Sequence, residues 1–275
     1  MASSSISPPD SFAFSGCGWL SPYYFGVLQC LRDNSYLTSK TRYAGTSGGA
    51  LAAVAGFCDM DTRVVLEAMV EISQVENVHM DIDSILRKQI MILLCDHYNG
   101  MGNGKNGGEG EGTFLREVND GKDRLSLCVT RVWPEPTIVP QLVSTFNSFQ
   151  DLADVTAASC FIPVWSKLSD LGTTTTIFNR EEGKEEISID TVVDGGFTAF
   201  MPPGCDVCVS PFPRQYILRS MRKPHICLEP GDISLPQLLY WVLNPASPAQ
   251  LRAFYEMGYQ SSEKYLEVRE QKGRG

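Results

Sequence analysis

Hydrophobic and polar residues follow two different periods along this chain. Strand-like patterns, several of them alternating, occupy residues 11–14, 124–132, 137–146, 187–193, 207–209 and 226–228, and a polar hairpin-like region lies near residues 180–186. Apolar stripes at helical spacing predict helices over residues 22–32, 50–57, 59–74 and 149–158, with further helices opening near residues 83, 234 and 247. Strands that alternate with helices predict an α/β layered fold with a largely parallel sheet.

Capping signals place the starts of several helices. Pro22 suits a first helical turn, where its missing N–H leaves no hydrogen bond unmade. Asp59 or Asp61 can cap the helix that runs to residue 74. Ser148 and Ser247 each open a capping box, so these two helix starts are predicted without using the apolar stripes.

The composition is that of an acidic globular protein. Of its 275 residues, 43% are hydrophobic, which suffices for a sizeable core in one large domain or two small ones. The net charge of −9 argues against a nucleic-acid partner bound through its phosphates. No apolar run approaches the ~20 residues that span a bilayer, so we expect a soluble or peripheral protein.

The cysteines indicate a reducing compartment. There are nine of them, an odd number without a regular spacing, and no apolar signal segment opens the chain. Cys205 and Cys208 form a lone CxxC pair with no second pair or histidine at zinc spacing. We therefore expect a cytoplasmic protein that has no metal and no cofactor.

A glycine loop follows the first predicted strand. Gly16, Cys17 and Gly18 lie between that strand and the helix opened by Pro22, and such a loop offers N–H groups to an anion. The order is also that of a dinucleotide fingerprint. However, Ser21 stands where the third glycine would be, and no second strand ends in an acidic residue about 20 residues on.

The second glycine motif surrounds Ser47. Gly45 and Gly49 flank it at i−2 and i+2, which allows a strand to fold sharply into a helix and to expose the serine oxygen beside free N–H groups. A helix N-terminus carries partial positive charge and can stabilise an oxyanion. The alternative interpretation is a simple Gly/Ser turn that leads into a core helix.

A third motif, Asp194-Gly195-Gly196, ends the predicted strand at 187–193. Taken alone, it is typical of a turn. It is the third of three motifs that follow one another along the chain, after the glycine loop and the serine motif.

Together the three motifs resemble the patatin-like phospholipase family, in particular the branch that contains adipose triglyceride lipase. The resemblance extends over about residues 12–212 and rests on the segments FSGCGWL (14–20), YAGTSGGAL (43–51), ASCFIPV (158–164), VDGG (193–196) and VSPF (209–212). It implies a three-layer α/β fold with a mostly parallel sheet and helices on both faces.

The resemblance also implies roles for the motif residues. Ser47 would be the nucleophile and Asp194 the general base of a Ser–Asp dyad that cleaves fatty-acyl esters of glycerolipids in lipid catabolism. The oxyanion loop would comprise Gly16, Cys17 and Gly18; the elbow, Gly45, Gly48 and Gly49; and the Asp-Gly-Gly motif, Gly195 and Gly196. Ser21 departs from the family pattern, which has a third glycine at this position, so the resemblance leaves the geometry of the loop open. The expected partners are an acyl-ester substrate and the surface of a membrane or lipid droplet, with no nucleic acid.

The domain prediction follows from the extent of the resemblance. We expect a disordered N-terminus at 1–11, a patatin-like domain at 12–212 with a flexible Gly-rich insertion at 99–112, and a C-terminal strand and helices at 213–275 packed on the same domain. Trp19, Leu20 and Tyr23 lie beside the glycine loop and form a candidate acyl channel, with core packing as the alternative.

Three other functions are open on the sequence alone. A lipid-binding or regulatory protein could keep the fold with little turnover, and Ser21 motivates that interpretation. A Ser-Asp-His esterase could use His225. However, His225 follows Pro224 at the start of an apparent strand, whereas the histidine of such a triad would lie in a loop that follows a strand. A nucleotide-dependent oxidoreductase depends only on the incomplete glycine loop.

Overall fold

The computed structural model describes residues 8–101, 107–120, 123–134, 138–163, 165–166, 171–181 and 184–273. The strands are β1 (Ser11–Phe14), β2 (Arg42–Thr46), β3 (Leu125–Trp133), β4 (Val139–Val143), β5 (Thr173–Glu181), β6 (Lys184–Asp194) and β7 (Val207–Val209). The helices are α1 (Pro22–Asp33), α2 (Gly48–Phe57), α3 (Thr62–Ser73), α4 (Ile82–Met101), α5 (Gly107–Val118), α6 (Phe149–Ser159), α7 (Leu235–Leu243) and α8 (Pro248–Gly273). Short 3-10 helices lie at Gly18–Leu20, Val78–Asp81, Gly195–Phe197 and Arg214–Tyr216.

The strands form one mixed sheet in the order β5-β6-β3-β2-β1-β7, and β4 pairs with β3 off this path. β7, β1, β2 and β3 are mutually parallel, whereas β4 and β6 run antiparallel to β3. β5 runs antiparallel to β6 and therefore shares the direction of β3. The predicted α/β class with a mostly parallel sheet is confirmed.

β3 organises the centre of the sheet because three strands pair with it. It pairs through its first half with β2, through its second half with β6, and along its middle with β4. A strand has only two edges, so β4 occupies one and β2 and β6 share the other. β2 ends at Thr46, opposite Cys128, and β6 runs the other way and ends at Asp194, opposite Val129. The two strand ends meet head to head, which brings the residue after Thr46 next to Asp194.

The two faces of the sheet are packed differently. One face contributes large apolar residues, such as the fully buried Phe14, to a main core that includes residues from all eight α-helices. The other face carries small side chains, of which Ala13 and Ala44 pack with Cys205 and Cys208. Each fully buried Leu or Phe of the main core contributes about 1.5–3 kcal/mol. The CxxC pair thus lies in a small apolar cluster.

Several helices begin where their capping residues predict. Pro22 is the first residue of α1. The Asp61 side chain accepts hydrogen bonds from two amides of α3, and Ser148 and Ser234 each accept one at the starts of α6 and α7. These bonds satisfy N–H groups that a helix start leaves without an intrahelical partner.

The Gly-rich segment 99–112 differs from the prediction. Residues 99–101 complete α4, and residues 107–112 form the first half of α5, whereas residues 102–106 lie outside the described part of the chain. Glycine lowers helix propensity, but packing against the core overrides it here, since Phe114 of α5 is fully buried. Residues 1–7 of the predicted N-terminal tail also lie outside the described residues, whereas Ser11 belongs to β1.

Two strands also have other bounds than the sequence indicates. β4 covers only residues 139–143 of the predicted 137–146. The predicted polar hairpin-like region near residues 180–186 lies within two long antiparallel strands, because β5 runs from Thr173 to Glu181 and β6 starts at Lys184, opposite Glu181. Residues 226–228 contribute an isolated bridge, from Ile226 to Val209, rather than a strand.

The C-terminal helix α8 packs along α1 and α3. Its buried side chains include Leu251, Phe254 and Tyr255, the apolar stripe that the sequence shows. An ion pair between Arg252 and Glu67 at 2.5 Å joins α8 to α3 at the surface. No helix within the described residues is both long and apolar enough to cross a membrane.

Candidate active site

Ser47 lies at the turn between β2 and α2 in a backbone conformation that residues other than glycine rarely adopt. Its φ is 55° and its ψ is −129°, and it is 5% exposed. Such values cost a non-glycine residue of the order of 1–3 kcal/mol and persist only where the surroundings impose them. This is the geometry of a nucleophile elbow, in which a strained turn presents a serine oxygen at the end of a strand.

The two glycines that flank Ser47 are required by close backbone contacts. A Cβ on Gly45 would lie 2.2 Å from the Gly49 carbonyl oxygen, and a Cβ on Gly49 would lie 2.4 Å from that of Phe14. These carbonyl oxygens belong to the backbone and cannot move aside as the end of a flexible side chain can. The Gly-x-Ser-x-Gly spacing is therefore what lets β2, α2 and β1 approach each other at this turn.

Ser159 holds the elbow in place. The Ser47 amide donates to the Ser159 hydroxyl at 2.9 Å, and that hydroxyl donates to the Cys128 carbonyl oxygen at 2.6 Å. Ser159 is fully buried at the end of α6, so it ties β2, β3 and α6 together. No local sequence signal points to this role, because only the pairing of β2 with β3 brings these residues together.

The backbone of Asp194 is fixed from two sides. Its amide donates to the Phe161 carbonyl oxygen at 2.7 Å, and its own carbonyl accepts from the Thr130 hydroxyl at 2.8 Å. The first bond links β6 to the loop after α6, and the second links it to β3. The carboxyl group thus has a defined position at the end of β6.

The Asp194 carboxyl is buried and carries an altered pKa. It is 6% exposed, and Gly196 donates its amide to Oδ1 at 2.7 Å. Burial raises the pKa of Asp194 from 3.8 to about 6, while hydrogen bonds from the Ser47 hydroxyl and the Gly196 amide limit the rise. A buried carboxylate is a stronger base than an exposed one because it lacks the water that would stabilise its charge.

The backbone amides of the predicted oxyanion loop have two different roles. The Gly16 amide donates to the Phe200 carbonyl oxygen at 2.9 Å, so this amide holds the loop rather than facing a substrate. Gly48, the first residue of α2, approaches the loop so closely that a Cβ there would lie 3.2 Å from the Gly18 nitrogen. The backbone amides of Cys17, Gly18 and Gly48 are therefore the candidate donors to an oxyanion.

Gly18 needs to be glycine for two reasons. Its φ is +53°, and a Cβ would lie 2.0 Å from the Val242 carbonyl oxygen of α7. The close contact means that α7 covers the glycine loop. Ser21, where the family pattern has a third glycine, adopts helical dihedrals (φ −55°, ψ −29°), so a side chain is compatible with the loop at that position.

The Cys17 thiol is not a competing nucleophile. Its side chain is buried, and burial raises the pKa of Cys17 far above its usual range. Cys160, which is partly exposed on the cavity wall, is also a weak acid, because burial and the Asp194 charge both raise its thiol pKa. Both cysteines remain protonated at neutral pH, and thiols react only as thiolates.

A mostly apolar cavity of about 50 Å³ lies against Ser47 and the glycine loop. Its apolar lining includes Trp19, Leu51, Met69, Leu86, Ile162 and Val242. A second cavity, of about 30 Å³, shares Leu51, Met69 and Leu86 with it and continues between α2, α3 and α4 along side chains such as Val65, Ile72 and Ile90. The two cavities are therefore neighbours, and the side chains of Leu51, Met69 and Leu86 lie between them.

Only one member of the predicted acyl channel faces this cavity. Trp19 lines it, whereas Leu20 and Tyr23 line neither of the two described cavities. Both are fully buried and join the main core instead, Leu20 from the 3-10 helix at Gly18–Leu20 and Tyr23 from the first turn of α1. The residues that extend the cavity come from α3 and α4, which lie too far along the chain to be grouped with the loop by sequence.

His225 is engaged elsewhere. Its Nδ1 accepts a hydrogen bond from the Cys208 amide at 2.9 Å beside β7, and burial with the nearby charges of Arg222 and Arg214 lowers its pKa. No histidine is among the described residues that line the Ser47 cavity. Within the described residues, no group of three or more Asp, Glu, His or Cys side chains is arranged to hold a metal ion.

The chain matches no known protein-family model. It is 25% identical over 270 residues to patatin-like phospholipase domain-containing protein 4 of Homo sapiens, covering 93% of this chain and 96% of that protein. The chain is thus similar to the patatin-like phospholipase domain proteins. The resemblance that the three motifs indicated is thereby confirmed.

Further comparisons agree with this patatin-like relationship. The chain is 29% identical over 197 residues to the omega-hydroxyceramide transacylase of Homo sapiens, covering 70% of this chain but only 32% of that protein. It therefore spans about a third of the length of the transacylase. The crystal structure of VipD from Legionella pneumophila is similar with a TM-score of 0.54 over 96% of this chain and 68% of that chain. At 13% identity, that likeness concerns the fold alone.

Proposed function

We propose that the chain is a serine acyl hydrolase that cleaves fatty-acyl esters of glycerolipids through Ser47 and Asp194. The observation that carries the proposal is the head-to-head meeting of β2 and β6, which sets the Ser47 hydroxyl beside the buried Asp194 carboxyl. The patatin-like relatives support the lipid acyl chemistry, and one of them is named as a transacylase.

The first half of the reaction forms an acyl-enzyme. Asp194 accepts the proton of the Ser47 hydroxyl while Oγ attacks the ester carbonyl carbon. The negative charge on the carbonyl oxygen is stabilised by the amides of Cys17, Gly18 and Gly48, each worth about 3 kcal/mol. The C–O bond of the ester then breaks, and the leaving alcohol takes the proton from Asp194.

The second half releases the fatty acid. A water molecule gives its proton to Asp194 and attacks the acyl carbon, and the same amides stabilise the oxyanion. The bond to Ser47 breaks, and Oγ recovers the proton from Asp194. One carboxyl group thus serves as base and acid in turn, and its pKa of about 6 suits that exchange near neutral pH.

The apolar cavities are the proposed acyl site. Trp19 lies at the glycine loop, and the side chains of Leu51, Met69 and Leu86 separate the first cavity from the second. The second cavity is smaller than a long acyl chain, so side chains on α3 and α4 have to move when a chain enters. Methionine adapts readily to such a change, because its side chain is unbranched and flexible.

A dyad is favoured over a Ser-Asp-His triad because His225 is bonded to the β7 backbone. A regulatory protein with little turnover is disfavoured by the strain kept at Ser47 and by the buried charge kept at Asp194, since lipid binding alone requires neither. The transacylase relative makes acyl transfer to an alcohol the second candidate, in which a lipid hydroxyl replaces water in the second half.

The test is a substrate panel with four proteins: wild type, Ser47→Ala, Asp194→Asn and His225→Ala. The substrates are nitrophenyl esters of increasing acyl length, emulsified triolein and phosphatidylcholine vesicles. We expect Ser47→Ala and Asp194→Asn to lose at least about a thousandfold in kcat, and His225→Ala to retain most of the wild-type rate. Fatty acid release with and without added monoacylglycerol separates hydrolysis from transfer.

Two outcomes would overturn the proposal. One is a wild type that hydrolyses none of these esters, which would leave a lipid-binding role. The other is a loss of activity in His225→Ala as large as that in Asp194→Asn, which would restore the triad.

A further inference from the structure

The region around α7 differs in composition from the rest of the chain. Residues 233–251 contain no aspartate, glutamate, lysine, arginine or histidine, although charged residues form 20% of the sequence. At that frequency a stretch of 19 residues would hold about four charges. A stretch of this length without charged residues normally lies in a protein core, because buried side chains are not in contact with water.

α7 is nevertheless at the surface. Leu239, Tyr240 and Leu243 are 53%, 57% and 37% exposed and lie on one face of the helix. On the opposite face Leu238 is fully buried, and Val242 lines the Ser47 cavity and contacts Gly18. One side of this short helix therefore covers the candidate active site, and the other presents apolar side chains to the outside.

We infer that the exposed face of α7 docks on the uncharged surface of a lipid aggregate, such as a neutral emulsion droplet or a phosphatidylcholine bilayer. The inference rests on the proposed acyl hydrolase function and names where its substrate is taken up. A helix of nine residues is about 13 Å long, so it can lie in the plane of the interface but cannot cross it.

Charge and side-chain chemistry both fit an uncharged surface. No charged group of α7 would have to give up its water, and the tyrosine hydroxyl of Tyr240 can stay among the headgroups while its ring is buried. The net charge of −9 opposes attraction to an anionic membrane. Because Val242 joins the docking face to the Ser47 cavity, a lipid entering beneath α7 would meet the glycine loop directly.

The basic segment 214–223 is the competing lipid contact, for anionic headgroups. Two of its four basic residues bond to the local backbone, which favours a role in holding the loop. Arg214 donates to the carbonyl oxygens of Pro224 and His225, and Lys223 donates to those of Arg214, Ile217 and Leu218.

The experiment is flotation of the full chain with three lipid preparations: dioleoylphosphatidylcholine vesicles, the same vesicles with phosphatidylserine added, and a phosphatidylcholine-coated triolein emulsion. The docking variant is Leu239→Glu with Leu243→Glu. The matched control is Val64→Glu with Val268→Glu, two valines that are 55% and 51% exposed on α3 and α8. The melting temperature of each protein reports on its fold.

We expect the docking variant to lose at least about tenfold in partitioning to neutral vesicles and emulsion, while the control stays within about twofold of wild type. If the docking variant is unfolded, Leu239→Ser with Leu243→Ser replaces it. Trp241, which lies within α7, provides a second measurement: brominated phosphatidylcholine should quench wild-type tryptophan fluorescence more than that of Trp241→Phe.

Three results would overturn the inference. They are equal binding of both double variants, binding of wild type only to vesicles with phosphatidylserine, and a dimer that dissociates in the docking variant while lipid binding persists. Ser47→Ala should float like wild type. If wild type floats as expected but hydrolyses no ester, the proposed function fails and the docking surface stands. If wild type hydrolyses esters but does not float, the docking surface fails and the proposed function stands.

Discussion

Replacing Asp194 by asparagine is expected to stabilise the protein at neutral pH while it removes activity. The pKa of Asp194 is about 6 in the folded protein, against an ordinary value of 3.8. A difference of one pKa unit corresponds to about 1.4 kcal/mol, so ionising this carboxyl costs the folded state about 3 kcal/mol. The asparagine side chain has the same shape but no charge, and its oxygen can still accept from the Gly196 amide.

The gain should depend on pH in a defined direction. The folded state holds this proton more tightly than the unfolded chain, because its pKa is the higher of the two. The cost is therefore absent below about pH 4, where both states are protonated, grows between about pH 4 and 6, and is complete above that range. Urea unfolding at pH 8 should show Asp194→Asn to be more stable by about 3 kcal/mol, and at pH 4 the difference should nearly vanish.

Ser47→Ala is the matched control, because we expect it to be equally inactive while it keeps the buried charge of Asp194. It also removes a hydrogen bond that stabilises the carboxylate, so its free energy of unfolding at pH 8 should not rise. In a thermal melt the gain of Asp194→Asn corresponds to roughly 5 °C for a chain of this size. An equal gain at both pH values, or no gain at pH 8, would refute the idea that a desolvated charge is kept at this position.

Three further results follow from the same geometry. The rate of ester hydrolysis should fall as the pH drops through about 6, because protonated Asp194 cannot accept a proton; a profile that stays flat to pH 5 would exclude this carboxyl as the base. Ser159→Ala should lower the free energy of unfolding by about 1–3 kcal/mol in urea, because it leaves the Ser47 amide buried without an acceptor; wild-type stability would contradict that role. Gly18→Ala should reduce both kcat and the melting temperature through the contact with the Val242 carbonyl, whereas wild-type kinetics would show that the loop can shift.

The local elements were largely predictable from the sequence, because their signals are local. β1, α1 and α6 lie within one residue of their predicted ends, and α3 starts three residues after the predicted start at residue 59. The sharp turns at the glycine motifs were equally predictable, since the steric exclusion of side chains at such a turn depends on residues that are close in sequence. α5 was missed because its glycines argue against a helix, and only the burial of Phe114 in the core explains why it forms.

The site required long-range information that no local pattern carries. The sequence pairs Ser47 with Asp194 only through a family resemblance, whereas the structure gives the physical reason, two strands that share one edge of β3. Ser159 and the Gly16 amide have uses that depend on β-strand pairing and on Phe200. The apolar cavity likewise depends on how α3 and α4 pack, and of the three residues predicted to form an acyl channel it is lined by Trp19, whereas Leu20 and Tyr23 lie in the main core.

The most direct test of the Ser47–Asp194 mechanism is to identify the residue that reacts with a fluorophosphonate. Peptide mass spectrometry of the labelled protein should find one adduct, on Ser47, and labelling should slow as the pH falls below about 6 and slow strongly in Asp194→Asn. A wild-type protein that acquires no adduct, or one labelled at another residue while Ser47 stays unmodified, would contradict that mechanism.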